Sequence, residues 1–413
     1  MPSFGSAAVV AALAFLVPLG LRAVRLRLPE AAAEIVLGVV VGPQVLGWAG
    51  VDDAVRVLSV LGLGFLLLLA GLEIDVRRLP RRVLGVAVVA FALSFGLAFT
   101  AGLALESAGL VRSAWLVAVV LSATSLGVLL PVLDDAGQLT TPAGQVVLAG
   151  ATVAEVVPVV LLSVLFAGRT AELAPKLLLL ALFALLVVAL VGAVARVGRQ
   201  HLLSNALQAL QDTTAEIRVR GVFVLLLLLT TLAVRTGSEA ILGAFLAGAA
   251  LRVVDRDERM NHSLLPVKIK AVGFGVFVPF FFVATGMALD VRALVGSREA
   301  LLRVPLLLLA LVLVRGLPVL LHARQVGGSV ELVAVGLLQA TSLSLPVVGG
   351  GIGVALGLMT KTTYAALVAT GLVSVLAFPL LAVRLLAVRS VARRPFSAPG
   401  LPTTSRDRAQ SPD

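Results

Sequence analysis

The sequence predicts an all-α polytopic membrane protein, with about 13 transmembrane helices in two inverted-topology repeats that contain discontinuous helices. Three observations carry that expectation. Of the 413 residues, 60% are hydrophobic and 13% charged, against about 25% charged in a soluble domain, and the mean hydropathy is +1.10. Apolar runs of spanning length follow one another almost from end to end. The chain also repeats itself. Gly71-Leu72-Glu73-Ile74-Asp75-Val76-Arg77 returns as Gly286-Met287-Ala288-Leu289-Asp290-Val291-Arg292, Ala123-Thr124-Ser125-Leu126 as Ala340-Thr341-Ser342-Leu343, and Ala151-Thr152 as Ala369-Thr370. The offset is 215 to 218 positions in all three matches, and in so apolar a chain such doubling marks a fold built from internal repeats.

The first run, 6–22, is followed by its positive charges Arg22, Arg25 and Arg27. A signal peptide carries such charges in front, so this run reads as a retained helix. Further runs fall near 32–49, 56–72, 83–105, 112–133, 143–167, 175–198, 219–235, 238–252, 269–288, 301–321, 332–358 and 362–388. Each suits about 30 Å of hydrocarbon. The expected organisation is a transport unit over 1–394, with repeat 1 near 28–167, a linker helix and loop near 174–218 and repeat 2 near 236–388. Residues 395–413, rich in Ser, Pro, Arg and Asp, read as a disordered cytoplasmic tail with no soluble domain after it.

With the N-terminus outside, about 23 Lys and Arg fall on the cytoplasmic side and about 9 outside. The expected location is therefore a plasma membrane, of bacterial type, with the C-terminus cytoplasmic. Matched motifs lie seven spans apart, an odd number that reverses direction, hence the inverted repeats. The net charge of +11 is scattered between apolar runs, which argues against a nucleic-acid partner. The chain has no cysteine, which excludes disulfides, thiolate metal sites and thiol catalysis. His201, His262 and His322 read as residues of polar connections, so neither a resident metal nor a cofactor is expected. The Gly349-Gly350-Gly351-Ile352-Gly353 run lacks a preceding strand and a following Lys-Ser/Thr pair, and reads as close helix packing. No catalytic constellation is present, and the chain does not read as an enzyme.

Within 146–166 the one ionisable residue is Glu155. A charge at mid-bilayer costs about 3 kcal/mol or more, so such residues usually face a cavity and carry ions or protons. One carboxylate can alternate between a proton and a cation; the plainer reading is a structural Glu paired with a neighbouring Arg or Ser. Pro158 removes a backbone bond nearby. The equivalent of Glu155 in the second half lies near Val373 and Ser374, so the repeat is symmetric in frame and asymmetric in chemistry. Thr124 and Ser125, with Thr341 and Ser342, place hydroxyls and helix breakers at mid-depth in spans five and twelve. Unwound there, they could line an ion site, or they could simply bond back to their own helices. Arg315 sits deep in an apolar run, as a charge partner for Glu155 or another internal acid, or as a snorkelling Arg. Glu34, Glu73, Asp75, Asp134 and Asp135 read as charges near helix ends.

The run Leu28-Pro29, then Glu34-Ile35-Val36-Leu37-Gly38-Val39-Val40-Val41-Gly42-Pro43, resembles the second-helix signature of the monovalent cation:proton antiporter family, the sodium/hydrogen exchanger domain of the cation:proton antiporter-2 type. So do Gly71-Leu72-Glu73-Ile74-Asp75, Leu121-Ser122-Ala123-Thr124-Ser125, Ile241-Leu242-Gly243-Ala244-Phe245-Leu246-Ala247-Gly248 and Val278-Pro279-Phe280-Phe281-Phe282-Val283-Ala284-Thr285-Gly286. The resemblance implies a dimerisation and gate domain, a mobile core with two crossed unwound helices, elevator-type alternating access and a homodimer. It implies that Glu155 is the essential acid of the sixth helix, that Thr124, Ser125, Thr341 and Ser342 form the crossing, and that Arg315 is the buried base of the eleventh. Ala154 departs from the pattern, since many members carry an acid, Asn or Gln before the essential carboxylate, and Lys268 and Lys270 lie only at the start of span ten.

The reading is an integral membrane antiporter exchanging Na⁺ or K⁺ for H⁺ by elevator-type alternating access. Its partners are those ions and the lipid bilayer. An organic-anion or other solute symporter on the same scaffold, and a non-transporting receptor or scaffold, remain as alternatives.

Overall fold

The computed structural model of the chain describes residues 4–24, 29–73, 80–166, 181, 185, 216–235, 240–254 and 265–392. The expected seventh span at 175–198 apart from Ala181 and Leu185, the linker up to residue 215, the tail at 395–413, His201 and His262 lie outside the described residues.

Numbered among the described elements, the helices are α1 (Gly5–Ala23), α2 (Glu30–Val41), α3 (Asp53–Glu73), α4 (Arg81–Ser107), α5 (Ala114–Leu121), α6 (Leu126–Asp135) and α7 (Pro142–Phe166). After the undescribed stretch come α8 (Ile217–Arg235), α9 (Ala240–Val254) and α10 (Leu265–Val272), which runs through a π-helical turn (Gly273–Phe277) into α11 (Val278–Ala288). The chain continues with α12 (Val291–Val295), α13 (Arg298–Gly316), a 3₁₀ turn (Leu317–His322), α14 (Ala323–Val326), α15 (Ser329–Gln339), α16 (Ser344–Ala355) and α17 (Lys361–Ala392). Ten of the described spans are long and apolar enough to cross a membrane, and the chain is an integral membrane protein. Among the described residues β-type pairing is confined to an isolated bridge between Val111 and Met359.

Most helices coincide with the expected apolar runs to within a few residues. The run 32–49 does not. There α2 stops at Val41, because Pro43 forces Gly42 out of the helical region, to φ −66° and ψ 172°. The runs 112–133 and 332–358 each split in two, α5 from α6 and α15 from α16, as the mid-depth hydroxyls predict.

The helices pack as two bundles. In one, α3 lies along α9 and α11, with α2 on α11 and α8 on α9; in the other, α4, α5, α7, α13, α15, α16 and α17 pack together. The first bundle depends on close backbone approach. A Cβ on Gly248 would run into the Leu68 carbonyl, 2.8 Å from its carbon, and one on Gly71 would collide with the Phe245 oxygen and stand 2.9 Å from the Ala249 nitrogen. With lipid outside, such small-residue contacts and not water exclusion hold helices together. Both breaks lie in the second bundle, buried throughout.

Candidate functional site

The breaks span Ser122–Ser125 and Ala340–Leu343, and they touch. The Ser125 N–H donates to the Thr341 carbonyl at 3.0 Å, and the Ser125 hydroxyl accepts from the backbone N–H of Leu343 (2.9 Å) and Ser344 (3.3 Å). A serine of the first half thus caps the second half-helix, α16, whose own N-cap residue, Leu343, has no side-chain donor or acceptor. Ser125 is also the N-cap residue of α6 but makes no cap bond there. That vacancy is filled by Glu155, whose Oε2 accepts from the Leu126 N–H at 2.7 Å. The carboxylate is therefore held at the positive end of a half-helix, where an anion is stabilised by about 0.3–2 kcal/mol. Glu155 is 5% exposed.

Pro158 explains why the break lies against α7 at this level. Lacking an N–H, it frees the Ala154 carbonyl of its own helix, and the Thr124 N–H takes that oxygen at 3.2 Å. The unwound segment and the carboxylate are bound to consecutive residues of one helix. In the second half, the hydroxyl of Ser374 accepts from the Ser342 N–H (3.1 Å) and donates toward the Ser342 and Gly371 carbonyls. A serine occupies the place that a carboxylate holds in the first half.

Arg315 is 4% exposed, which removes the snorkelling alternative. Its partners correct the charge-pair expectation. Nε donates to the Thr124 hydroxyl at 2.9 Å and to the Gln339 carbonyl at 3.3 Å, Nη1 to the Ser94 hydroxyl at 3.1 Å and Nη2 to Gln339 Oε1 at 2.7 Å. All are neutral, and Glu155 is not among them. The guanidinium instead ties one break to the end of α15, since the Thr124 hydroxyl itself donates to the Gln339 carbonyl at 2.5 Å. Gln339 completes the tie by donating Nε2 to the Val146 and Val147 carbonyls of α7, at 3.2 and 3.1 Å.

Of the five residues predicted for the site, Thr124, Ser125, Thr341 and Ser342 meet at the crossing, though through unequal roles. Thr341 contributes its carbonyl while its hydroxyl bonds back to Leu337, and the Ser342 hydroxyl has no partner. Glu155 joins them through backbone, at Leu126 and at Ala154–Thr124. Sequence reasoning missed Gln339 and Ser94. The signal for Gln339 was present as an uncharged polar residue ending the apolar run before Ala340. Glu34 does lie near the start of α2 but is buried at 5% exposed, and His322, 3% exposed, lies inside the continuous span Arg298–Val326 and not in a polar connection. Glu73 does end α3, where its Oε1 pairs with Lys270 Nζ at 3.1 Å. Its other oxygen comes within 3.7 Å of where a Cβ on Gly127 would stand, one residue past Leu126.

Residues 11–387 match the family described as "Sodium/hydrogen exchanger, transmembrane". The chain belongs to that family. It is 29% identical over 394 residues to YjbQ of Bacillus subtilis (strain 168), a match covering 92% of this chain and 62% of YjbQ. The chain thus spans less than two thirds of that relative. It is 29% identical over 278 residues to the protein of Enterococcus hirae named Na⁺/H⁺ antiporter, covering 64% of this chain and 68% of that one. In fold it resembles the sodium proton antiporter MjNhaP1 of Methanocaldococcus jannaschii, with a TM-score of 0.59 at 17% identity, covering 93% of this chain and 95% of the other. The all-helical membrane architecture with crossed broken helices is the expected one.

Proposed function

We propose that this member of the sodium/hydrogen exchanger family exchanges a monovalent cation, Na⁺ or K⁺, for H⁺ across a bacterial plasma membrane, with Glu155 taking the two in turn. One observation carries the reading. Glu155 is a buried carboxylate whose hydrogen bond comes from the Leu126 N–H, with no ion pair to it among the described residues. A charge left so is costly in hydrocarbon, and a bound cation or proton removes the cost. The empty carboxylate should therefore not cross the membrane, which couples the two fluxes.

Thr124, Ser125, Thr341 and Ser342 would offer carbonyl and hydroxyl oxygens, the hard ligands that alkali cations favour, and Arg315 would act as a positioning residue through Thr124 and Gln339. The separation into two bundles, with both breaks in one, supports an elevator in which the α4–α7 and α13–α17 bundle moves against the other. We extend the proposal to a homodimer built on the first bundle, to an external N-terminus and to the repeat boundaries near 28–167 and 236–388. The names of the relatives reported above favour Na⁺.

The test is proton flux from proteoliposomes holding the full chain, read by a pH dye on addition of Na⁺, Li⁺ or K⁺. Cation-dependent alkalinisation names the ion. A flat response to all three, at every pH from about 6 to about 9, would remove the proposal.

A further inference from the structure

Beside the crossing lies a cavity of about 10 Å³, lined among others by Phe91, Gly150, Arg315, Pro318, His322 and Gln339. That is the space open to the centre of a water-sized sphere, in a pocket not fully closed, and it can hold one small occupant. Two features of it are not absorbed by the transport reading. Both ring nitrogens of His322 lack a hydrogen-bond partner, although the residue is 3% exposed. Arg315 spends three of its five guanidinium hydrogens on Thr124, Ser94 and Gln339, which leaves one hydrogen on each terminal nitrogen.

The charge around the cavity has one sign. α4 presents Ala87, Ala90 and Phe91, α7 presents Gly150, α13 presents Arg315, and α15 presents Gln339. Glu331 at the start of α15 and Arg324 of α14 do not line it. Among the described residues no carboxylate does.

We propose that this cavity is a binding site for one small monovalent anion of halide size. A cation there would face a guanidinium and an imidazole. A water would satisfy the loose hydrogen bonds but leave the buried guanidinium without a counter-charge, which hydrocarbon penalises heavily. An anion accepts the two unused guanidinium hydrogens and an imidazole N–H together, and it neutralises Arg315. The second imidazole nitrogen is then free to take a proton. Proton uptake and anion binding reinforce each other by linkage, so the site tightens as pH falls through the imidazole titration. Because Arg315 also holds Thr124 and Gln339, occupancy reaches the crossing without touching Glu155.

The experiment uses the full chain purified in detergent and measures the thermal unfolding midpoint in sodium bromide, sodium chloride and sodium gluconate at equal ionic strength, near about pH 6 and about pH 8. Halide is expected to raise the midpoint above gluconate, more so at the lower pH. His322→Gln, which keeps an N–H donor but cannot take a proton, is expected to keep the halide effect and lose its pH dependence. His322→Ala is expected to need at least about tenfold more halide for the same shift, a loss of about 1.4 kcal/mol in binding. Should that variant not fold, bromide-soaked crystals of the unmodified chain decide, through an anomalous peak between Arg315 and His322. Equal midpoints in halide and gluconate, an unchanged pH dependence in His322→Gln, or a water with no bromide peak would each overturn the proposal. None of these readouts uses transport, so their failure leaves the exchange reading standing.

Discussion

Gly150→Ala tests the polar tie that holds the crossing together. Gly150 lies within α7, and an alanine in a helix interior normally stabilises by about 1 kcal/mol over glycine. Here the added Cβ would collide with Gln339 Nε2 and lie 2.7 Å from its Cδ and 2.8 Å from its Oε1. Ordinary contact begins near 3.4 Å, so the amide has to move by at least about 0.7 Å (3.4 − 2.7). That shift, taken along the 2.7 Å bond from Arg315 Nη2, stretches it to about 3.4 Å, and the clash at Nε2 drives it further, past hydrogen-bond range. Overpacking costs about 1–3 kcal/mol and loss of a buried bond from a charged donor about 1.5–3; less the helix gain of about 1, the net is a destabilisation of about 1.5–5 kcal/mol. Unfolding in SDS of the detergent-purified chain measures it. Gly85→Ala in α4, where a Cβ meets nothing within 4 Å, serves as the control and should be neutral or stabilising. In a background of Gln339→Ala the Gly150→Ala cost should largely vanish, because the obstructing amide is gone. A Gly150→Ala protein as stable as its Gly85→Ala counterpart would refute the reasoning.

Further outcomes follow from the same geometry. Thr124→Val keeps the shape and removes the hydroxyl that accepts from Arg315 and donates to Gln339; a loss of about 1–3 kcal/mol is expected in the same unfolding assay, with Thr124→Ser near the parent. Ser374→Ala strips the Ser342 N–H of its acceptor and should cost about 1–2 kcal/mol while leaving cation-driven proton flux intact; loss of flux in a folded protein would contradict the asymmetry of the two halves. Lys270→Met frees Glu73, but at 44% and 12% exposure the pair is worth less than about 1 kcal/mol to stability. Its effect should be a lower KM for the cation at low ionic strength that fades as salt is added. If one carboxyl binds both ions, protons compete with the cation. The KM should then rise as pH falls below the Glu155 titration, by about tenfold per unit, with maximal rate unchanged, and a KM flat across pH would exclude a shared site.

Glu155 was legible because nothing else in its apolar run can ionise, and the breaks because hydroxyls recur at matched positions in two halves. Pro158 was legible as a lost hydrogen bond, but the consequence, an Ala154 carbonyl turned to Thr124, required the neighbouring helix. Arg315 shows the limit. Its depth can be read from the residues around it, yet its partners lie on three other segments, separated from it by 24 to 221 positions. No local pattern tells a guanidinium that it will meet Gln339 in place of Glu155. His322 misleads in the opposite way: with Arg324 two residues on, it reads as a connection, and the 3₁₀ turn Leu317–His322 carries it inward. The early end of α2 is written in Gly42-Pro43, which apolar length alone does not register.

The most direct measurement is Na⁺-driven proton flux in proteoliposomes reconstituted with Glu155→Gln, at protein density and folding matched to the parent. The substitution preserves an oxygen for the Leu126 N–H and removes the charge and the exchangeable proton. Flux no higher than that of empty vesicles is expected with each cation the parent accepts. Exchange at the parent's rate would take Glu155 out of the mechanism and the central claim with it.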